Sequence, residues 1–346
     1  MPRKYFSNDQ RTVEQLLGAL GSENWAERRD AARELGYRGD LSAVEPLIYA
    51  LNNTDSQYRH QIILSLGILG DRRAIEPLAT TFSIPDDAFV SANALSRIKS
   101  RKVVKLFIDG LKSDNRTIRL SAAAFLGNMG NRIAVAPLID ALNDENNEVR
   151  DFAAVSLGRL KDKRAVKPLL ALLRNMDGEE SSTTAFSLEL SDQDVKASAI
   201  MALGSLGDKK AIKPIFKFLA SKNRNLIEAA VLALGELRAK IATEPILRIL
   251  NNHDKTNFAR HFAAMALGKI GDKRAFDPLI AALSGDDVVI RIAAADGLGY
   301  FGDSHAVPAL KLARKNDNGS DEFGSRVRDH ATRAIRHIQR LTEKNE

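Results

Sequence analysis

The chain has 346 residues, of which 44% are hydrophobic and 27% are charged, and its formal net charge is +7. This composition is typical of a globular protein with a large apolar core. The chain contains no cysteine, which excludes disulfide bonds, thiolate metal sites and cysteine nucleophiles. The moderate positive charge is compatible with an acidic partner but does not require one.

The N-terminal stretch MPRKYFSNDQ lacks the apolar segment of a secretory signal peptide. No apolar run approaches the ~20 residues that a membrane-spanning helix needs. The sequence therefore predicts a cytoplasmic protein without a membrane partner.

The first elements along the chain belong to a repeat marked by proline. Pairs of prolines stand 31 residues apart at Pro46 and Pro77, Pro137 and Pro168, and Pro214 and Pro245. Each unit opens near its proline with an apolar stretch such as Pro-Leu-Ile and continues through a polar turn. A second segment follows, of the form Val-Arg-x-x-Ala-Ala-x-x-Leu-Gly at residues 149–158.

This pattern predicts two short helices in each unit. Proline is tolerated in the first turn of a helix. In the second segment, Val149, Ala153, Leu157 and Leu160 fall on one helical face. The glycine after each leucine is expected close to the helix end, where glycine is common. One helix pair cannot bury its own apolar face, so the copies must stack.

Two insertions and an atypical last unit interrupt the period. Residues 175–192 are acidic and rich in Ser and Thr, and residues 315–325 form a similar insertion. The final unit ends in a basic helix, which is typical of a cap. We expect one continuous array over residues 1–346, with the repeats at about 12–340.

The motifs Pro-Leu-Ile-x-Ala-Leu, Val-Arg-x-x-Ala-Ala-x-x-Leu-Gly and Gly-Asp-x-Arg-Ala resemble HEAT-like repeats of the phycobilisome-lyase type. The resemblance implies an all-α fold, a right-handed α-solenoid of about ten helix pairs. Bilin lyases, deoxyhypusine hydroxylase and many binding proteins share this repeat. Deoxyhypusine hydroxylase holds iron with His-Glu pairs. No histidine of this chain is followed by glutamate, so the resemblance does not extend to that activity.

Two further patterns are interpreted as structural. The stretch from Gly297 to Gly302 matches G-x-G-x-x-G, but it stands in register with the end of a second helix rather than after a strand. Charges recur at one place in every unit, which predicts an Arg–Asp ladder between neighbouring repeats. Its members are Arg59, Arg119, Arg150, Arg260, Arg291 and Arg328, and Asp40, Asp71, Asp162, Asp208, Asp272 and Asp303.

The family architecture places the second helices along a concave groove. At three positions of these helices the residue type varies from unit to unit, which indicates use rather than support of the fold, and one of the three is mostly apolar. The alternative, that these side chains tuck between neighbouring helices, stays open. The predicted partner-binding groove consists of His60, Leu64, Phe89, Leu120, Val155, Met201, Leu232, His261, Met265, Ile292 and Tyr300. Rim-loop contacts are predicted at Phe186, Leu188 and Phe323.

The sequence favours a non-catalytic scaffold or adaptor that binds a protein or peptide in this groove, with no cofactor, no metal and no catalytic residue. Two alternatives stay open. One is a bilin lyase or chromophore-handling chaperone, implied by the resemblance, which would hold a bilin. The other is nucleic-acid binding along a basic rim formed by turns such as Arg72-Arg73 and Lys273-Arg274.

Overall fold

The computed structural model describes residues 9–52, 56–175, 190–252 and 257–343. Within these ranges the chain forms twenty α-helices in ten consecutive pairs, and its one β-bridge joins Ser320 and Arg326. The predicted all-α solenoid of helix pairs is therefore confirmed. The first helices of the pairs are α1 (Val13–Ala19), α3 (Val44–Asn52), α5 (Ile75–Phe82), α7 (Arg101–Gly110), α9 (Val135–Ala141), α11 (Val166–Asn175), α13 (Ile212–Phe216), α15 (Thr243–Asn251), α17 (Phe276–Ala282) and α19 (Val307–Asn316). The second helices are α2 (Trp25–Arg38), α4 (Ser56–Leu69), α6 (Pro85–Arg97), α8 (Arg116–Leu126), α10 (Asn147–Leu160), α12 (Asp192–Leu206), α14 (Arg224–Glu236), α16 (Asn257–Ile270), α18 (Val288–Phe301) and α20 (Val327–Glu343).

The helices form two compact units, Met1–Leu160 and Lys161–Glu346. In each unit every second helix packs against the next second helix and against the first helix of its own pair. The apolar core of each unit lies between these two layers. The continuity of the array across both units stays a prediction.

The Gly-Asp motif ends one repeat and begins the next. Gly207 follows α12 in a left-handed conformation with φ 68°, which glycine adopts without a steric penalty. The side chain of Asp208 then accepts a hydrogen bond from the backbone N–H of Lys210 and caps a short 3₁₀ turn. All six recurrent aspartates cap such turns, namely Asp40, Asp71, Asp162, Asp208, Asp272 and Asp303.

The glycine of the Leu-Gly motif lies inside the second helix, and its role is close packing rather than helix termination. A Cβ atom added to Gly204 would lie 2.8 Å from Cα of Ala233 on the next second helix. The same contact would be 2.9 Å from Gly235 to Ala266, and 2.6 Å from Gly67 to Ala94 in the first unit. These helices therefore touch almost backbone to backbone, and no side chain fits between them.

The contact between α6 and α8 lacks this glycine packing, because the residues on both helices differ from those of the other repeats. Ser96 replaces the glycine, and Phe125 replaces the small residue that faces it in the other repeats. The ring of Phe125 packs against Phe89 with a centroid separation of 5.2 Å. The repeat that lacks the Leu-Gly motif thus packs against the next repeat through aromatic rings.

The predicted ladder between neighbouring repeats is present at Arg59, Arg119 and Arg291, but the carboxylates that these arginines contact are not the predicted aspartates. Arg119 donates from Nε and Nη2 to Asp144 of the next repeat, at 2.8 and 3.1 Å. Arg291 contacts Asp317 in the same way, and Arg59 donates to a buried carboxylate, Asp87, at 2.7 Å. The recurrent aspartates face another way because they cap the 3₁₀ turns. Where an arginine stands two residues on, they pair with that arginine instead, as in Asp71–Arg73, Asp162–Arg164 and Asp272–Arg274.

We predict that Gly204→Ala lowers the free energy of unfolding by about 1–3 kcal/mol, because the new methyl group must push α14 away from α12. Urea unfolding followed by circular dichroism measures the loss. The matched control is Gly18→Ala in α1, where no atom beyond the adjacent backbone of the same helix and the two chain neighbours lies within 4 Å of the new methyl group. That change should leave stability unchanged or raise it by up to ~1 kcal/mol through helix propensity. Equal effects of the two changes would contradict the close-packing role.

Candidate interaction faces of the two units

In the first unit, the outward positions of α4 to α10 carry the predicted apolar residues. Phe89 is 45% exposed, while Leu64, Leu120 and Val155 are half-buried between neighbouring second helices. We call these four residues the first-unit face. The two alternatives for these positions, contact with a partner or burial between neighbouring helices, therefore both hold in part. The side chains tuck between the helices, but they still present apolar surface to solvent.

His60 lies beside the first-unit face and is tied into the fold. Its Nε2 atom is 2.9 Å from Oδ1 of Asp87, and Arg59 donates to the other oxygen of the same carboxylate. The side chain of Asp87 is only 1% exposed. Because this carboxylate needs both partners, His60 has a structural role in addition to the predicted contact role.

In the second unit, the predicted residues are also partly exposed. Met201 is 40% exposed and Tyr300 is 48% exposed, whereas Leu232 and Met265 are half-buried. These four residues form the second-unit face. Ile292 was predicted to join them, but it is 3% exposed and packs in the core of its unit. The prediction that Ile292 is a contact residue is therefore wrong, because its side chain does not reach the surface.

His261 is half-buried in the second unit, and burial is the main cause that lowers its pKa below the ordinary value. The imidazole is therefore neutral at pH 7. Its Nδ1 atom is buried and has no hydrogen-bond partner among the residues that the structure describes. The ring packs edge-on against Phe262, with the ring centroids 5.6 Å apart.

Charged residues surround the faces in different ways. In the first unit, Arg97 is exposed, and Arg159 is exposed and donates to the side chain of Asn128. In the second unit, Lys269 lies 5.1 Å from the ring centroid of Tyr300 and pairs with Glu236 at 2.5 Å. The first-unit face thus has arginines beside it, whereas the second-unit face has an ion pair that positions an aromatic ring.

Two exposed aromatic residues that the sequence did not single out lie against arginine side chains. Trp25 is 52% exposed at the start of α2, with the guanidinium of Arg29 5.0 Å from its ring. Phe258 is 53% exposed on α16, with Arg224 5.5 Å away. Trp25 and Arg29 are four residues apart on one helix, and this spacing is the signal that could have identified the first of these pairs.

The predicted rim contacts have different outcomes. Phe323 is 81% exposed. Phe186 and Leu188 lie outside the described residues. The contact role of all three stays a prediction.

The basic turns offer less free charge than the sequence suggests. Arg73 pairs with Asp71 at 3.0 Å and with Glu45 at 3.2 Å. In the second unit, Arg274 pairs in the same way with Asp272 and Glu244. Because these arginines already have carboxylate partners, they are poorly suited to bind phosphates. Nucleic-acid binding by the rim stays an untested prediction.

The described residues carry few features of a chemical site. Among the described residues, no group of three or more His, Asp or Glu side chains could hold a metal ion. The Gly297–Gly302 stretch lies in α18 and at its end, where Gly302 has a φ of 79°. It therefore belongs to a helix and its cap rather than to a phosphate-binding loop. No helix in the described part of the chain is both long and apolar enough to cross a membrane.

Comparison with known proteins supports the repeat assignment. A family model described as HEAT repeats matches residues 13–99, 104–189, 184–259 and 243–336. A stretch of 52 residues is 46% identical to phycocyanobilin lyase subunit alpha of Picosynechococcus sp.. That match covers 15% of this chain and only 19% of the lyase subunit.

Solved structures of similar shape are distant in sequence. Yeast importin-β (Kap95p) has a TM-score of 0.57 at 13% identity, covering 94% of this chain and 50% of that chain. A chain from the complex of CpcE and CpcF of phycocyanin lyase from Nostoc sp. has a TM-score of 0.44 at 22% identity. The match covers 97% of this chain and 97% of that chain. At these identities the likeness to Kap95p shows the fold alone.

We predict that Met201→Glu changes the free energy of unfolding by no more than about 0.5 kcal/mol, because the side chain reaches solvent. The same substitution at Ile292 should cost about 3 kcal/mol or more, because it places a carboxylate in the core. Thermal and urea unfolding of the two variants measure both values. Similar losses at the two positions would show that Met201 is also a core residue.

Proposed function

Since the chain belongs to the HEAT-repeat family, we propose that it is a non-catalytic scaffold that binds a protein or peptide through the outward faces of its second helices. The observation that carries this proposal is the partial exposure of large apolar side chains there. Phe89 and Met201 expose 45% and 40% of their surface on helices whose other apolar residues are mostly buried. Each lies beside half-buried apolar residues on the neighbouring second helix, such as Leu120 and Leu232, and an apolar strip of this kind, unlike a single exposed residue, is typical of an interaction surface.

The residues of the faces suit peptide or protein contacts. Phe89 is held by its edge-to-face contact with Phe125, so it can serve as a fixed aromatic anchor. Met201 and Met265 have flexible, polarisable side chains that adapt to the shape of a partner. Arg97 and Arg159 beside the first-unit face favour a partner segment with acidic residues next to its apolar ones.

The test compares variants of each face with matched controls. Phe89→Glu alters the first-unit face, and Met201→Glu alters the second-unit face. The controls are Ile133→Glu and Ile241→Glu, which change somewhat more exposed apolar residues (52% and 58%) in the turns between repeats. All four proteins serve as baits in nuclease-treated lysate of the source organism, after circular dichroism has shown that their helicity is unchanged.

We predict that at least one partner protein is retained by the native bait and both controls but is lost by a face variant. A buried charge at a contact centre typically weakens binding by more than tenfold, which a pull-down detects. If all baits retain the same proteins, the second-helix faces are not the binding site. If only the turn variants lose a partner, the site lies in the turns instead.

A second candidate function is chromophore handling, which the local 46% identity to a lyase subunit favours. In that case the apolar faces would hold an open-chain tetrapyrrole, and neighbouring arginines would contact its propionates. Visible absorbance of the protein purified from its source separates this candidate from a purely protein-binding role.

A further inference from the structure

A cleft with a volume of about 840 Å³ opens between α1 and α3 in the first unit. Its apolar walls are formed by Leu17, Leu20, Pro46 and Ala50. Polar side chains also line it, among them Arg28 from α2, Tyr58 from α4, and Glu45 and Tyr49 from α3. None of these residues belongs to the first-unit face, so the cleft is a separate feature of the surface.

Tyr58 brings an unused hydrogen-bond donor to this cleft. The residue is 3% exposed, and its hydroxyl is buried with no hydrogen-bond partner within the described ranges. Burial raises the pKa of this hydroxyl to about 12, so it remains protonated at neutral pH. A buried hydroxyl without a partner is unfavourable, and a ligand that supplies an acceptor would relieve that cost.

Arg28 occupies the same place in its repeat as the arginines of the ladder. Its Nη1 atom donates to the carbonyl oxygens of Ser22 and Glu23 in the preceding turn, at 2.7 and 3.0 Å. Arg119 and Arg291 each donate from Nη1 to two carbonyl oxygens of their own preceding turns in the same way. These contacts orient the three guanidinium groups alike with respect to their helices.

The remaining edge of the guanidinium distinguishes Arg28 from the other two. In Arg119 and Arg291, the Nε and Nη2 edge grips a carboxylate of the next repeat, Asp144 or Asp317. No carboxylate contacts that edge of Arg28 in the part of the chain that the structure describes. Its guanidinium lies instead over the ring of Tyr58, 5.4 Å from the centroid.

The sequence agrees with this difference. Asp144 follows Arg119 by 25 residues, and Asp317 follows Arg291 by 26. At the same separations from Arg28 the chain has Asn53 and Thr54, which carry no charge, and the next residue, Asp55, lies outside the described residues. The carboxylate that completes the ladder elsewhere is therefore not provided at these positions in the first repeat.

We propose that this cleft binds a small apolar carboxylate. The carboxylate group takes the place beside Arg28 that Asp144 takes beside Arg119, and it accepts a further hydrogen bond from the hydroxyl of Tyr58. The apolar body lies against Leu17, Leu20 and Ala50. Glu45 also lines the cleft, but its carboxylate pairs with Arg73 and so repels an anion less.

The test titrates the full chain with three probes by isothermal titration calorimetry. Naphthalene-2-carboxylate has both the charge and the apolar body. Naphthalene-2-methanol has the body alone, and acetate has the charge alone. We expect measurable binding of the first probe only, since each part alone provides half of the contacts.

Two variants and one control assign the binding to the cleft. Tyr58→Phe removes one hydroxyl and should weaken binding of the naphthalene carboxylate about tenfold. Arg28→Lys keeps the charge but loses the two-nitrogen edge, and should weaken binding at least as much. Tyr37→Phe makes the same chemical change as Tyr58→Phe on an exposed tyrosine outside the cleft and should have no effect.

The variants must keep the native circular dichroism spectrum for the comparison to count, and Tyr58→Phe is the decisive one because it preserves the ring. The proposal is overturned if the native chain does not bind the naphthalene carboxylate up to its solubility limit. It is also overturned if the neutral alcohol binds as tightly, or if Tyr58→Phe binds as tightly as the native chain. Because these residues are separate from the first-unit face, either result leaves the proposed protein-binding function to its own test.

Discussion

The contact between a glycine and a small residue on the next second helix is the constraint on which the rest of each unit depends. Gly204, Gly235 and Gly67 bring helix backbones so close that a methyl group would fall 2.6–2.9 Å from a Cα atom. This spacing leaves no room for side chains on the line of contact. The larger residues on either side must then point into the core or outward. The half-buried residues of the two faces are the outward ones.

The charged residues complete each repeat rather than form a chemical site. Ladder arginines such as Arg119 satisfy turn carbonyl oxygens of their own repeat and a carboxylate of the next, so they join neighbours by directional hydrogen bonds. The aspartates of the Gly-Asp motif satisfy backbone N–H groups of the short turns. Residues that recur at every repeat thus serve the fold. Function must then depend on the places where the repeats differ, such as the faces and the cleft beside Arg28.

The fold could be predicted because its signals are local and repeated. The 31-residue spacing of prolines, the helical face of Val149 and Ala153, and the Gly-Asp turns all follow from the sequence alone. The candidate site was harder to predict because exposure depends on how neighbouring helices pack. Ile292 and Met201 are both apolar residues on second helices, yet one is buried and the other is exposed. The ladder partners were also missed, because the recurrent aspartates are used as caps and the partner carboxylates vary in spacing.

The central claim is that the outward faces of the second helices contact a protein partner, whereas the turns do not. Site-specific photo-crosslinking in the source cells tests this directly, with benzoylphenylalanine placed singly at residues 89 and 201 on the faces and at residues 133 and 241 in the turns. All four positions are exposed and apolar in the native chain, so the probe should be tolerated at each. The account predicts a discrete crosslinked partner from position 89 or position 201 and none from positions 133 and 241. A partner captured from the turn positions alone, or none from both face positions, would contradict it.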